Sequence, residues 1–128
     1  MNLLVDTQLI LWGLKEPGRL SAAALALFRQ DDVSNIFSVA SIWEIAIKSL
    51  SRRDGFDANP REVKRVLIER GWQQLVITAD HAAATGDLPP IHSDPFDRIL
   101  AAQARIEGLH LVTSDEILAR YPGDIVRV

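Results

Sequence analysis

The 128 residues contain no cysteine, which excludes disulfides and thiolate metal centres. The three histidines, His81, His92 and His110, are scattered and form no H-E-x-x-H or similar zinc spacing. No window approaches the roughly eighteen uninterrupted apolar residues of a membrane span, and the start, Met1-Asn2-Leu3-Leu4-Val5-Asp6, lacks the basic region and long apolar stretch of a signal peptide. A cytoplasmic location without membrane association is the expectation. Neither G-x-x-x-x-G-K-S/T nor G-x-G-x-x-G occurs, so nothing points to nucleotide binding. Positive charge is also scarce, and a formal net charge of −3 argues against bulk attraction to nucleic acid.

What is present is enough apolar residue, 48%, for a real core, at a length that suits one domain spanning 1–128. The charge is uneven. Residues 1–70 carry ten of the fourteen Lys/Arg, and seven of them, Lys48, Arg52, Arg53, Arg61, Lys64, Arg65 and Arg70, fall in one short stretch. That stretch reads either as a solvated helix face with an adjoining loop or as a phosphate-contacting patch.

Leu3-Leu4-Val5 is a short apolar run that predicts a buried strand, and Leu9-Ile10-Leu11-Trp12-Leu14 continues at helical spacing until Pro17-Gly18 stops it. This first helix is too apolar to be solvated all round, which makes Trp12 either core or an anchor for a partner or a second copy of the chain. Ser21 suits the N-cap of a second helix, Ile36-Phe37-Ser38-Val39 a second strand, and Ser41 the cap of a third helix running to Leu50. That third helix is apolar on every side, which predicts a central place in the packing, with Glu44 its one acid. Residues 51–59 read as a connection, Asn59-Pro60 opens a fourth helix, and Leu75-Val76-Ile77-Thr78 is a third strand followed by a short helix over 79–86. Asp94-Pro95 opens a long helix closed by Gly108, then come strand four at 109–113, a short helix at 115–120 and an edge strand at 125–128. The alternation predicts an α/β fold, a mostly parallel sheet of four to five short strands flanked by helices.

Four acids interrupt this pattern where it is otherwise apolar or helix-initiating: Asp6, Glu44, Asp97 and Asp115. Each has an ordinary role open to it. Asp6 can cap the first helix, Glu44 can pair with Lys48 at i,i+4, Asp94 and Asp97 can share a capping-box-like arrangement, and Asp115 can serve as a first-turn acid. Yet ligands of parallel sheets bind beyond the carboxyl ends of the strands, where Asp6 and Asp115 fall. Four carboxylates gathered there repel one another unless a hard divalent cation such as Mg²⁺ or Mn²⁺ joins them.

The order and spacing of Leu3-Leu4-Val5-Asp6-Thr7, Ser41-Ile42-Trp43-Glu44-Ile45-Ala46-Ile47-Lys48, the block from His92 through Asp94-Pro95-Phe96-Asp97-Arg98 to Ala104, and Leu111-Val112-Thr113-Ser114-Asp115 resemble a PIN-domain ribonuclease, most closely the VapC-type toxins of bacterial toxin–antitoxin pairs. The D-P-F-D-R block and W-E-I are the specific motifs. The resemblance implies a PIN-like single domain, an acidic catalytic and metal site on Asp6, Glu44, Asp97 and Asp115, and hydrolysis of structured RNA assisted by Mg²⁺, with Mn²⁺ as substitute. It also implies a homodimer and a small antitoxin that reaches an arginine toward the acids. Thr113 or Ser114 would orient a carboxylate or phosphate oxygen, Lys48 is a candidate for phosphate contact, and Arg98 is a candidate either for phosphate contact or for a structural salt bridge. Gln8 stands where many relatives have histidine; it cannot titrate, which leaves it a hydrogen-bonding role.

The rival readings fit less well. A haloacid dehalogenase-like phosphotransferase needs an acid two residues after Asp6, where Gln8 stands, and a receiver-type module needs paired acids after the first strand. A non-catalytic PIN-like RNA- or protein-binding module is the alternative from another class.

Overall fold

The computed structural model describes residues 1–51 and 57–128, so Arg52 and Arg53 of the basic stretch, and part of the 51–59 connection, lie outside the described residues. Five strands, β1 (Asn2–Val5), β2 (Ser34–Ser38), β3 (Gln73–Leu75), β4 (His110–Thr113) and β5 (Ile125–Arg127), form one parallel sheet in the order β3-β2-β1-β4-β5. Six α-helices accompany them among the described residues: α1 (Thr7–Lys15), α2 (Ala22–Phe28), α3 (Val39–Leu50), α4 (Pro60–Glu69), α5 (Ala79–Ala84) and α6 (Pro95–Glu107). This is the α/β class read from the alternation of elements. No described helix is long and apolar enough to cross a membrane.

Alternation along each strand divides the core in two. Leu3 and Val5, with Phe37 and Val112, pack with Leu9, Ile10 and Leu11 of α1, Ile45 of α3 and Leu67 of α4 on one face. Leu4, Ile36 and Leu111 meet Leu100, Ala101 and Ala104 of α6 on the other. Successive side chains of a strand point to opposite faces, so a strand buried on both sides must be apolar throughout, as Leu3-Leu4-Val5 is. Burial of this kind contributes about 25 cal/mol for each Å² of apolar surface removed from water.

The helix ends follow the residues that make them. Ser21 accepts from Ala24 N at 3.0 Å, Asn59 accepts from the Arg61 and Glu62 amides ahead of Pro60, and Gly108 closes α6 with φ 66, a conformation that favours glycine. Three expectations move. Ser38, not Ser41, caps α3, accepting from Ala40 N at 3.0 Å; the strand ends earlier, and Ser41 lies inside the helix, buried and accepting from Thr7 Oγ1 at 2.8 Å. Strand three is Gln73–Leu75, because Thr78 caps α5 together with His81 and Val76 is turned outward. Residues 115–120 form a turn and a 3-10 segment, Leu118–Arg120, in place of a helix.

The third helix is less enclosed than its composition suggests. Ala40, Ser41, Glu44 and Ile45 are buried, whereas Trp43, Ile47 and Leu50 are exposed. Their i, i+4, i+7 spacing makes one apolar stripe on the outer side. Trp12, by contrast, packs against the core with the Arg19 guanidinium 4.8 Å from its ring centre.

Candidate metal centre

The strand order reverses direction at β1 and β4, and the crevice beyond their carboxyl ends is where a sheet of this kind leaves room for a ligand. Asp6 directly follows β1, Asp115 follows β4 after Ser114, Glu44 projects from α3 and Asp97 from the first turn of α6. All four line one cavity of about 350 Å³ together with Gln8, Lys48, His92, Asp94 and Ser114. The fold thus brings together acids that are up to 109 positions apart in the chain. Asp6, Glu44 and Asp97 are buried, an expensive arrangement for carboxylates without counter-charge.

The ordinary roles open to these acids are only partly taken up. Asp6 occupies the N-cap position of α1 but makes no capping bond there; its Oδ2 accepts instead from Thr113 Oγ1 at 2.7 Å. Asp94 does cap α6, accepting from Phe96 N at 2.8 Å, which leaves Asp97 with no capping duty. Asp115 Oδ1 accepts from the amides of Ile117 at 2.8 Å and Leu118 at 3.2 Å. Glu44 pairs through Oε2 with Lys48, while its Oε1 is buried without a hydrogen-bond partner. Lys48 also reaches Asp94 Oδ2 at 3.1 Å, so it bridges two acids at the cavity wall.

Burial pushes the Asp6 carboxyl up to about 6; the Thr113 hydroxyl opposes that rise, and the charges of Glu44 and Asp115 add to it. Asp97 is pushed further, to about 8, by burial and then by Asp6, Asp94, Glu44 and Asp115. Asp115 goes the other way: burial raises it, but hydrogen bonds from His92 and from the Leu118 and Ile117 amides hold it below the usual carboxylate range. For Lys48, desolvation is outweighed by Glu44 and Asp94, and the ammonium is held more firmly than in water.

These donors suit a hard divalent cation. Glu44 Oε1 is an orphaned buried acceptor, Asp97 is held at high energy when ionised, and oxygen ligands select Mg²⁺-like ions. Ligand atoms of His92, Asp97 and Asp115 also lie within 4.8 Å of one another. Asp6, Glu44, Asp97 and Asp115 all face this cavity, Asp115 from the turn that its Oδ1 stabilises.

Thr113 donates its hydroxyl to the Asp6 carboxylate, and Ser114 lines the cavity. Arg98 does not reach the cavity. Its guanidinium donates to the carbonyls of Pro89 at 3.0 Å, Thr85 at 2.7 Å and Leu88 at 3.4 Å and to the Tyr121 hydroxyl at 3.0 Å, so the expected phosphate contact gives way to a clamp on the loop before α6. Within the basic stretch, Arg65 pairs with Glu62 and Glu69 on α4, while Arg61, Lys64 and Arg70 are exposed.

His92, which matches no zinc spacing in the sequence, nonetheless lines the cavity. Its Nε2 lies 3.0 Å from Asp97 Oδ2 and 3.1 Å from Asp115 Oδ2. The available signal was its place two residues before Asp94, in the loop that leads into the acid-bearing helix.

Residues 3–124 match the PIN domain, and the chain belongs to that family. No curated protein matches it at a significant level. Among solved structures it is similar to VapBC2 from Rickettsia felis bound to a DNA fragment from their promoter, at 15% identity and TM-score 0.73, covering 99% of this chain and 98% of that one. A toxin–antitoxin complex from Klebsiella pneumoniae is similar at 19% identity and TM-score 0.65, with 97% and 95% covered. VapBC-1 from nontypeable Haemophilus influenzae follows at 16% identity and TM-score 0.60, with 90% and 87% covered.

Proposed function

We propose that this chain is a Mg²⁺-dependent endoribonuclease of the VapC toxin type, a single domain over residues 1–128 acting on structured RNA in the cytoplasm. The observation that carries the reading is the convergence of Asp6, Glu44, Asp97 and Asp115 on one cavity at the carboxyl edge of β1 and β4, with Glu44 Oε1 buried and unpartnered. Membership of the PIN family and the likeness to toxin–antitoxin complexes support it.

Asp6, Asp97, Glu44 and Asp115 would hold the cation, Asp115 from the turn whose amides it accepts. A divalent ion held there supplies Lewis acidity, an activated water and neutralisation of phosphate charge; Mn²⁺ substitutes for Mg²⁺. Thr113 keeps the Asp6 carboxylate aimed inward. Lys48 offsets the charge of Glu44 and Asp94 at the wall where a phosphate enters, and Gln8 and Ser114 offer neutral hydrogen bonds to it. The exposed cations Arg61, Lys64 and Arg70 supply a screened, sequence-independent attraction for flanking RNA.

The partner is a small antitoxin whose arginine, reaching the acids, competes with the cation and silences the enzyme. The Trp43, Ile47 and Leu50 stripe is the contact through which two copies pair, since a packed interface removes exposed apolar surface of this kind from water.

The test is incubation of total cellular RNA with the purified chain, free of antitoxin, in Mg²⁺, in Mn²⁺ and in chelator, beside Asp97→Asn. Discrete metal-dependent products absent from the variant are expected. Intact RNA throughout, with metal bound, would move the reading to a non-catalytic binding module.

A further inference from the structure

We propose that His92 positions the acids from outside the coordination sphere, as an Nε2–H donor, and does not itself ligate the cation. The inference rests on the divalent-cation reading of the site and goes beyond it, since a cluster of His92, Asp97 and Asp115 has the appearance of a three-ligand set.

The deciding atom is Nδ1. The backbone amide of Asp94 donates to it at 3.1 Å, and an amide N–H can only donate. Nδ1 therefore presents its lone pair, and the ring proton sits on Nε2. That proton faces carboxylates: Nε2 hydrogen-bonds to Asp115 Oδ2 at 3.1 Å, with Asp97 Oδ2 3.0 Å from the same nitrogen. For Nε2 to ligate a metal its proton would have to move to Nδ1, where it would meet the Asp94 N–H head on. Breaking that bond would disturb the start of α6, because Asp94 is the cap of the helix that carries Asp97.

The ring has little freedom to escape this. The His92 amide donates to the Tyr121 hydroxyl at 2.8 Å, and that hydroxyl donates back to the His92 carbonyl at 3.2 Å. Arg98 holds the same hydroxyl and the Pro89 carbonyl. Tyr121, held in turn by Arg98, thus anchors the backbone from which the imidazole extends. On the far side Asp115 Oδ1 is taken by two amides, so the hydrogen bond from His92 completes the satisfaction of that carboxylate. His92 and the turn after β4 together fix Asp115, whose Oδ2 and that of Asp97 lie about the same ring nitrogen. A hydrogen bond of this kind, behind the ligands, is worth roughly 10–100-fold in metal affinity.

The test is nitrogen NMR of the imidazole rings in the ¹⁵N-labelled metal-free protein and after saturation with Mg²⁺, the His92 signals being those lost in His92→Gln. An unprotonated Nδ1 and protonated Nε2, unchanged by Mg²⁺, are expected. A protonated Nδ1, or an Nε2 that loses its proton when Mg²⁺ is added, overturns the inference. In calorimetry with Mn²⁺, His92→Ala should bind about 10–100-fold more weakly than wild type, and His92→Gln, which keeps an N–H donor, should recover most of that loss. Equal affinity of wild type and His92→Ala overturns the positioning role, as does a Gln variant no better than Ala. A wild-type chain that binds no Mn²⁺ fails the cation reading beneath it, and is distinguished from failure of the tautomer by the spectrum of the metal-free protein.

Discussion

Thr113 Oγ1 donates to Asp6 Oδ2 at 2.7 Å, joining the last residue of β4 to the residue after β1 across two strands paired in register at Val5 and Val112. Both side chains are buried, and the same Thr113 oxygen accepts from Asp115 N at 2.9 Å. One hydroxyl therefore sets two of the four acids. It is also the main factor opposing the rise of the Asp6 carboxyl to about 6. Thr113→Val removes the hydroxyl at nearly constant volume, so Asp6 should protonate at still higher pH and Mn²⁺ should bind about tenfold more weakly near neutrality, the lower end of the range for supporting hydrogen bonds. Calorimetry across pH checks this; an affinity unchanged from wild type would show that the bond does not govern the site.

Stability of the metal-free protein should fall as pH rises. The fold pushes the Asp6 and Asp97 carboxyls up to about 6 and about 8, from the ordinary 3.8 of an exposed aspartate. Both are raised, so their stabilising contribution is complete below about pH 4 and is lost as pH climbs through 6 and then 8, where the folded state must carry charges that the unfolded chain carries at no such cost. The Tm in chelator should therefore decline between about pH 5 and pH 8. Excess Mg²⁺ should reverse this most strongly at the alkaline end, since protons compete with the cation for these oxygens. A Tm in chelator that rises over this window would contradict the assignment.

Asp97→Asn should separate the two consequences of one carboxylate. Without metal it removes a carboxyl whose ionisation burial, Asp6, Asp94, Glu44 and Asp115 all oppose, and a gain of about 1–2 kcal/mol near neutral pH, or a few degrees in Tm, is expected. Stabilisation by added Mg²⁺ should shrink and RNA cleavage should vanish. Scanning calorimetry with and without chelator measures the first pair, and gel analysis the second. A variant less stable than wild type in chelator would mean that the acids do not strain the empty fold.

The parts of this fold that sequence discloses are those in which one local signal decides. Leu3-Leu4-Val5 can only be a strand buried on both faces, Pro60 and Pro95 after Asn59 and Asp94 can only start helices, and Gly108 ends one. The acids were legible for a similar reason, since Glu44 and Asp97 are costly where the pattern demands apolar residues. Ser38 and Ser41 are both competent caps, and only the end of the β2 ladder chooses between them. Arg98 and His92 stayed hidden because their roles depend on Tyr121, which is more than twenty residues away in sequence and meets them only after folding. Gln103 is the extreme case: a polar residue with 0% exposure whose amide joins Ser38 to the Val76 carbonyl, a contact no periodicity encodes.

The stripe on α3 gives the last prediction. Trp43 is 57% exposed and Leu50 is 89% exposed, with Ile47 between them on the same side of the helix. Trp43 nonetheless keeps a fixed pose, edge-on to Phe96 with ring centres 5.1 Å apart. Phe96 immediately precedes Asp97, so an interface formed on this stripe lies one residue from the acidic cavity. Ile47→Glu places a charge in the middle of the stripe without touching the core, and it should convert a dimer to monomers while leaving Tm within a few degrees, because exposed substitutions away from caps and networks cost little. Sedimentation at several concentrations reads the outcome. If Ile47→Glu and wild type sediment alike, the stripe does not join two copies, and if both are monomers the pairing itself is refuted. If Ile47→Glu alone is monomeric, its RNA cleavage relative to wild type then measures how far the second copy supports the adjacent acids.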